Sequence, residues 1–308
     1  KENLANMRTN GWELSVSWND KINNVGGSPL MYSIGVGLAD SYSTITKFDN
    51  PEGALNNYYE GKRIGEIWGY VTDGFIQDEA EAQRMATIQG DISKTWKVGD
   101  IRYKDLDGVE GITSAKTIYN TGDQKVIGNT TPRYSFNINA SASWKGFDVR
   151  VFFEGIAKRD LWIDSPVFWG FPSNSNVWQS AVNDYHVDNS WSENNTNAYY
   201  PLPSYSGRSK QTQTKYLQNG AYIRLKDLTI SYTIPKAWIS TVGIEQLKVF
   251  ASGQNLWVGT KLFKYLDPDI VSTRQSNSKD NKLVGNLTSD GKAYPFSRTF
   301  SFGINLTF

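Results

Sequence analysis

A single histidine, His186, and the absence of cysteine limit the chemistry open to this chain. Histidine-based triads and sites built from several His or thiolate ligands are excluded within it. A lone histidine in a polar stretch reads as a surface residue. Paired carboxylates could in principle flank a glycosidic bond, and Asp105/Asp107 and Asp267/Asp269 are such pairs. Both sit among turn-forming residues, where Asp usually shapes the loop. Gly35-x-Gly37 lies inside an alternating stretch, without the following helix that a dinucleotide site needs, and no phosphate-binding loop occurs. The residues therefore point away from an enzyme, with no metal and no cofactor expected.

Segment 159–219 offers binding chemistry instead. It contains Trp162, Phe168, Trp169, Phe171, Trp178, Tyr185, Trp191, Tyr199, Tyr200 and Tyr205, interspersed with Asn, Ser and Pro. Flat rings beside amide and hydroxyl groups can stack on and hydrogen-bond to polar ligands such as sugars or peptides. The candidate substrate-binding residues are Phe168, Trp169, Trp178, Tyr185, Trp191, Tyr199, Tyr200 and Arg208, with Lys210 a further polar contact. The competing role is packing of the loop against neighbouring loops or a partner, because an exposed loop has no obvious core to bury so many rings.

Around this segment the main signal is alternation with period two, the mark of strands with two unlike faces. Phe296, Phe300, Phe302, Ile304, Leu306 and Phe308 alternate with Ser297, Thr299, Ser301, Gly303, Asn305 and Thr307, and only Arg298 breaks the apolar row. Phe136, Ile138, Ala140, Ala142 and Trp144 alternate with Ser135, Asn137, Asn139, Ser141 and Ser143. Trp12, Leu14, Val16 and Trp18 do the same, as do residues 32–38 and 147–153. Segments 221–234 and 245–258 are strand-like too, and a phase change near Lys226-Asp227 predicts a bulge. The polar positions are Ser, Asn, Gly and Thr rather than the Lys, Glu and Arg of a water-exposed sandwich. That pattern suits the lumen of a wide barrel whose other face meets lipid, with the aromatic residues at Trp12, Trp18, Trp144, Tyr232, Trp257 and Phe308 as interfacial girdles.

Connection lengths alternate as well. Lys145-Gly146 and Pro235 to Gly243 are short, whereas roughly 73–131, 159–219 and 259–293 are long. Short turns on one side and long loops on the outer side are expected of outer-membrane barrels. Asp78 to Met85, with acidic residues leading, predicts a short helix in one long loop. Composition agrees with this picture. The 11 Trp, 17 Tyr and 14 Phe favour strands and interfaces, while a net charge of +1 leaves no basic excess for nucleic acid. No apolar run approaches the ~20 residues of a spanning helix, and the mean hydropathy of -0.50 is uninformative for strands that need only ~10 alternating residues. The chain opens at Lys1-Glu2-Asn3-Leu4 without an initiator Met or signal peptide and is expected to be a piece of a longer precursor.

Several blocks resemble the C-terminal half of SusC-like (RagA-like) TonB-dependent transporters. They are Glu60-Gly61-Lys62-Arg63-Ile64-Gly65 with Trp68-Gly69-Tyr70-Val71-Thr72-Asp73-Gly74-Phe75, and Val98-Gly99-Asp100-Ile101-Arg102-Tyr103-Lys104-Asp105-Leu106-Asp107-Gly108. Then come Val126-Ile127-Gly128-Asn129-Thr130-Thr131-Pro132-Arg133-Tyr134, the run from Tyr222 to Pro235, and Val249-Phe250-Ala251-Ser252-Gly253-Gln254-Asn255-Leu256, closing on aromatic Phe308. The blocks stand in the family's order from about Trp12 onward. One departure concerns calcium. Where the family often continues an acidic loop, Asp105 and Asp107 are followed by Val109 and, further on, Lys116, so a turn is expected and no ion.

The resemblance implies an all-β fold, a transmembrane antiparallel β-barrel of 22 strands with long extracellular loops. Residues 1–308 would supply its C-terminal part, about the last eight strands, and the plug domain and N-terminal region would lie outside this chain. It also implies the outer membrane of a Gram-negative bacterium, a SusD-like surface lipoprotein as partner, and TonB acting through the absent N-terminal region. The expected function is the wall and outer vestibule of an active importer for a glycan or a peptide. Two rivals stay open at this stage: a passive porin or adhesin barrel, and a soluble β-rich carbohydrate-binding module.

Overall fold

The computed structural model describes residues 5–172, 178, 180–240, 243–271 and 295–308. β1 (Ala5–Val25) and β2 (Ser28–Phe48) form a hairpin closed by Gly26 and Gly27, both at positive φ. The long connection that follows holds β3 (Glu66–Tyr70), β4 (Thr72–Phe75), α1 (Glu79–Ile88), β5 (Ile101–Tyr103) and β6 (Gln124–Asn129). β7 (Arg133–Trp144) then turns into β8 (Phe147–Lys158) through Lys145 and Gly146, at φ 49 and φ 84. Two left-handed residues are what a tight hairpin turn requires. A Cβ on Gly146 would stand 2.8 Å from the Thr233 carbonyl oxygen, so glycine is doubly required.

A second long connection carries β9 (Asp160–Leu161), α2 (Pro166–Trp169), α3 (Asp184–Asn189) and β10 (Gln218–Asn219) to β11 (Tyr222–Thr233). A short link with α4 (Lys236–Ile239) leads to β12 (Gln246–Thr260), and a third long connection to β13 (Thr299–Thr307). The long strands form one seven-stranded antiparallel sheet in the order β1-β2-β7-β8-β11-β12-β13. Seven strands among the described residues compare with the approximate eight that the family resemblance implies. All short turns lie at one end of the sheet and all long connections at the other.

Register carries the alternation across the whole sheet. Trp18, Ile34, Ala140, Val151, Leu228, Gly253 and Phe300 are successive cross-strand partners and form one apolar row. The adjacent polar row is Asn19, Ser33, Ser141, Arg150, Thr229, Ser252 and Ser301. Cross-strand partners share a face, so the sheet has one greasy side and one polar side. The greasy side is uncovered: Val16 is 57 %, Ile304 63 % and Phe302 81 % exposed. A soluble monomer rarely leaves more than about 300–600 Å² of contiguous apolar surface open.

The expected bulge is present. Lys226 is the extra residue of β11 against β8, and β12 answers with its own extra residue near Asn255, at φ 53. Together they keep Leu225 and Leu228 on the same face despite the phase change. One detail is corrected. Trp18 does not mark an end of the apolar band but lies inside it, two rows from the Ile22–Leu30–Trp144 row that borders the short turns.

Candidate functional site

The three long connections meet in a body with its own apolar core. Phe75, Ile76, Met85, Trp96, Ile101 and Tyr103 come from the first, Ile163, Phe168, Trp169, Trp191, Tyr200 and Tyr216 from the second, Phe263 and Leu266 from the third. The predicted helix is α1, capped by the Asp78 carboxylate, which accepts from the Glu81 N–H at 2.8 Å; its Ala82 and Met85 face this core. The premise that the loops have no core of their own is thus corrected.

The candidate rings divide accordingly. Phe168 is the hub, with the rings of Trp169, Tyr200 and Phe263 at 5.1, 5.5 and 5.3 Å. Tyr200 stacks parallel to Tyr216 at 6.1 Å. Trp191 packs over Gly99, whose left-handed backbone (φ 86) leaves room where a Cβ would stand 2.3 Å from the indole. Phe168, Trp169, Trp191 and Tyr200 are buried, Tyr185 and Tyr199 half-buried, and Trp178 is 92 % exposed.

Arg208 is buried as well. Its Nε donates to Asp100 at 2.5 Å, and the fully buried Asp100 also accepts from the Ser209 hydroxyl at 2.9 Å and the Lys97 N–H at 2.8 Å. This ion pair clamps the second connection to the first. Lys210 donates through Nζ to the carbonyls of Phe171, Pro172 and Ser204, and its burial pushes the ammonium pKa down to about 8. Burial likewise drives Tyr70 up to about 12 and Tyr103, Tyr200 and Tyr216 well upward, as expected of phenols inside a core.

His186 was expected at the surface and is buried instead. Its Nε2 donates to the Phe168 carbonyl at 3.1 Å, and its Nδ1 lies 3.3 Å from the Asn183 N–H and 3.0 Å from Asn183 Oδ1, closing the cap of α3. Burial lowers its pKa and so favours the neutral form.

The third connection is tied to the polar face of the sheet. Asp267 accepts from Arg224, and Asp269 from Lys226 at 3.0 Å and the Tyr222 hydroxyl at 3.1 Å. Glu154 completes the group at 2.8 Å from Lys226. The Asp267/Asp269 pair is therefore an anchor between loop and sheet. The other pair has a third member that spacing did not reveal. The carboxylates of Asp105, Asp107 and the buried Asp123 lie within 4.8 Å of one another. Asp123 accepts from the backbone N–H groups of Leu106 (2.6 Å) and Thr113 (2.8 Å), Asp105 from Gly108 and Asp107 from Val109. Each is engaged in shaping the turn. Asp123 is sixteen positions from Asp107, beyond the reach of a local motif.

What the arrangement provides is a two-faced sheet beneath an aromatic loop body, with no nucleophile paired to a general base among the described residues. No family model matches the chain. It is 30 % identical over 249 residues to TonB-dependent receptor P3 of Formosa agariphila, which covers 81 % of this chain and 22 % of that protein. TonB-dependent receptor P26 of the same organism is 26 % identical over 222 residues, 68 % of this chain and 20 % of the relative. The chain thus spans about a fifth of the length of these curated relatives. Among solved structures, the RagAB peptide importer in its open-open state superposes with TM-score 0.66 at 19 % identity, over 100 % of this chain and 29 % of that one. Its closed-closed state gives TM-score 0.67, over 100 % and 30 %. The relatives are receptors and importers, not enzymes.

Proposed function

This chain belongs with the SusC-like TonB-dependent receptors, and on that premise we propose that it is a C-terminal part of the barrel wall and outer vestibule of an active importer. The barrel is completed by the rest of the polypeptide, since unpaired strand edges in hydrocarbon cost several kcal/mol per backbone group. Its cargo is an oligosaccharide or a peptide. TonB supplies the energy through a region outside this chain, and a SusD-like lipoprotein docks on the long connections. The setting is the outer membrane of a Gram-negative bacterium.

The observation that carries the reading is the row-by-row match of apolar partners across the strands, interrupted by Asp20 in β1 and by Asp40 opposite Trp12 in β2. From Trp12 to Ile22 the strand advances ten residues, about 34 Å at ~3.4 Å per residue. At the ~45° tilt of outer-membrane strands this is a band about 24 Å tall, close to the ~25 Å such barrels present to lipid. The soluble rival has no use for that uncovered band. Among the eight candidate residues, exposed Trp178 is free to stack on cargo, whereas Phe168, Trp169, Trp191, Tyr200 and Arg208 act by holding the vestibule in shape, with half-buried Tyr185 and Tyr199 at its margin.

Uptake by cells carrying the full transporter and its lipoprotein tests the proposal. Import that stops when the proton-motive force is collapsed supports it. Import that continues identifies a passive pore, and a protein that stays in solution without detergent contradicts the membrane setting.

A further inference from the structure

The outward, apolar-band face of the sheet ends toward the long connections in a cluster of cations and rings. Arg8 pairs with Thr44 across β1 and β2, and Thr44 bridges to Arg63 on the neighbouring segment, so Arg8, Thr44 and Arg63 share one face. Parity from Trp12 makes it the lipid-directed face, and Asn6↔Lys47 adds a third cation to it. Tyr42 lies between two guanidinium groups, with Arg63 at 4.8 Å and Arg133 at 5.2 Å from its ring. Arg133 also covers Tyr134 at 5.3 Å and is neutralised by Asp40. Arg8, Lys47 and Arg63 are exposed and form no ion pair among the described residues. Glu66, three residues from Arg63, accepts the Arg63 backbone N–H and the Tyr59 hydroxyl.

Three cations on a surface whose lower part is greasy have no ion-pair partner among the described residues. Charge beside apolar surface, at the level where the band stops, matches a lipid whose tails lie on the band and whose headgroup lies at the cluster. The Arg63 guanidinium, 4.8 Å from the Tyr42 ring, has no side-chain hydrogen bond among the described residues, so its N–H groups are open to phosphate oxygens. Resting on the membrane reading above, we propose that Arg8, Lys47 and Arg63, steadied by Tyr42 and Arg133, bind the phosphate of an anionic lipid at the outer boundary of the bilayer.

Native mass spectrometry of the full transporter in maltoside micelles tests this, with phosphatidic acid as probe and diacylglycerol of the same chains as the phosphate-free control. The intact protein should retain phosphatidic acid in clear preference to diacylglycerol. Arg8→Gln/Arg63→Gln, which spares the Arg133–Asp40 pair, should weaken binding about fivefold per guanidinium removed, or roughly 25-fold. Equal retention of the two lipids by the unaltered protein overturns the proposal, with no need for a folded variant. So does a double variant that binds phosphatidic acid undiminished. A transporter that never enters the micelles overturns the membrane reading together with the proposal, whereas entry without phosphate preference overturns the proposal alone.

Discussion

At the scale of single residues, burial decides which side chains hold the structure and which can meet a ligand. Removing the Asp100 carboxylate leaves the Arg208 cation buried beside it without a partner. Asp100→Ala should therefore cost about 3–5 kcal/mol, read as faster proteolysis of the first two long connections in the intact transporter. Phe168→Ala should cost a similar ~3–5 kcal/mol by leaving a cavity at the hub of the aromatic core. Trp178→Ala should leave protease resistance unchanged and weaken cargo binding by up to about tenfold. His186 carries a pH dependence whose sign follows from its burial. Its folded pKa lies below the usual ~6.5, so the unfolded chain takes up the proton first and stability is lost as pH falls through about 6.5. Protease protection of the second connection should decline between pH 7 and 5, and His186→Gln should flatten that decline. At this scale the sequence was least informative. It marked the rings of 159–219 as a group, but Phe168 and Trp178 look alike until the partners that bury one of them are in place. Gly99 and Trp191, ninety-two positions apart, show why: packing partners distant in sequence leave no local pattern.

At the scale of elements, the long strands were the most readable part, because an alternating row records which face is buried in apolar surroundings. The runs at 134–144 and 296–308 became β7 and β13 almost unchanged. β1 and β2 run 21 residues each, well past Trp12–Trp18 and 32–38, because pairing continues where polar residues such as Asp20 and Asp40 interrupt the apolar row and break the periodicity. The two- to six-residue strands of the loop body went unseen for a related reason: their burial comes from distant loops, not from a periodic face. Face assignment yields a paired prediction. Ile138→Arg, on the apolar row of Val16 and Val36, should cost about 2–4 kcal/mol and reduce assembly into the outer membrane. Asn139→Arg, one position on and facing the opposite side, should assemble normally. Heat-modifiable migration on gels separates the two outcomes.

At the scale of the whole molecule, the sheet and the loop body divide the labour. The sheet is defined by its two unlike faces, and the long connections form a self-packed body fastened to it through Arg224, Lys226, Asp267 and Asp269. Breaking one fastening should loosen the loop body without disrupting the sheet. Lys226→Met should raise hydrogen exchange in residues 261–271 and leave β11 and β12 protected below the bulge. The central claim is that even-numbered positions of β7 meet lipid tails while odd-numbered ones face water. The chain has no cysteine of its own, so single cysteines at Phe136, Asn137, Ile138, Asn139, Ala140 and Ser141 of the complete transporter in bilayers, with any cysteine outside this chain replaced, can each carry a fluorophore. Quenching by brominated lipid tails should follow the even positions and quenching by aqueous iodide the odd ones. Equal shielding of both sets from lipid, as in a dry protein interior, would contradict the account.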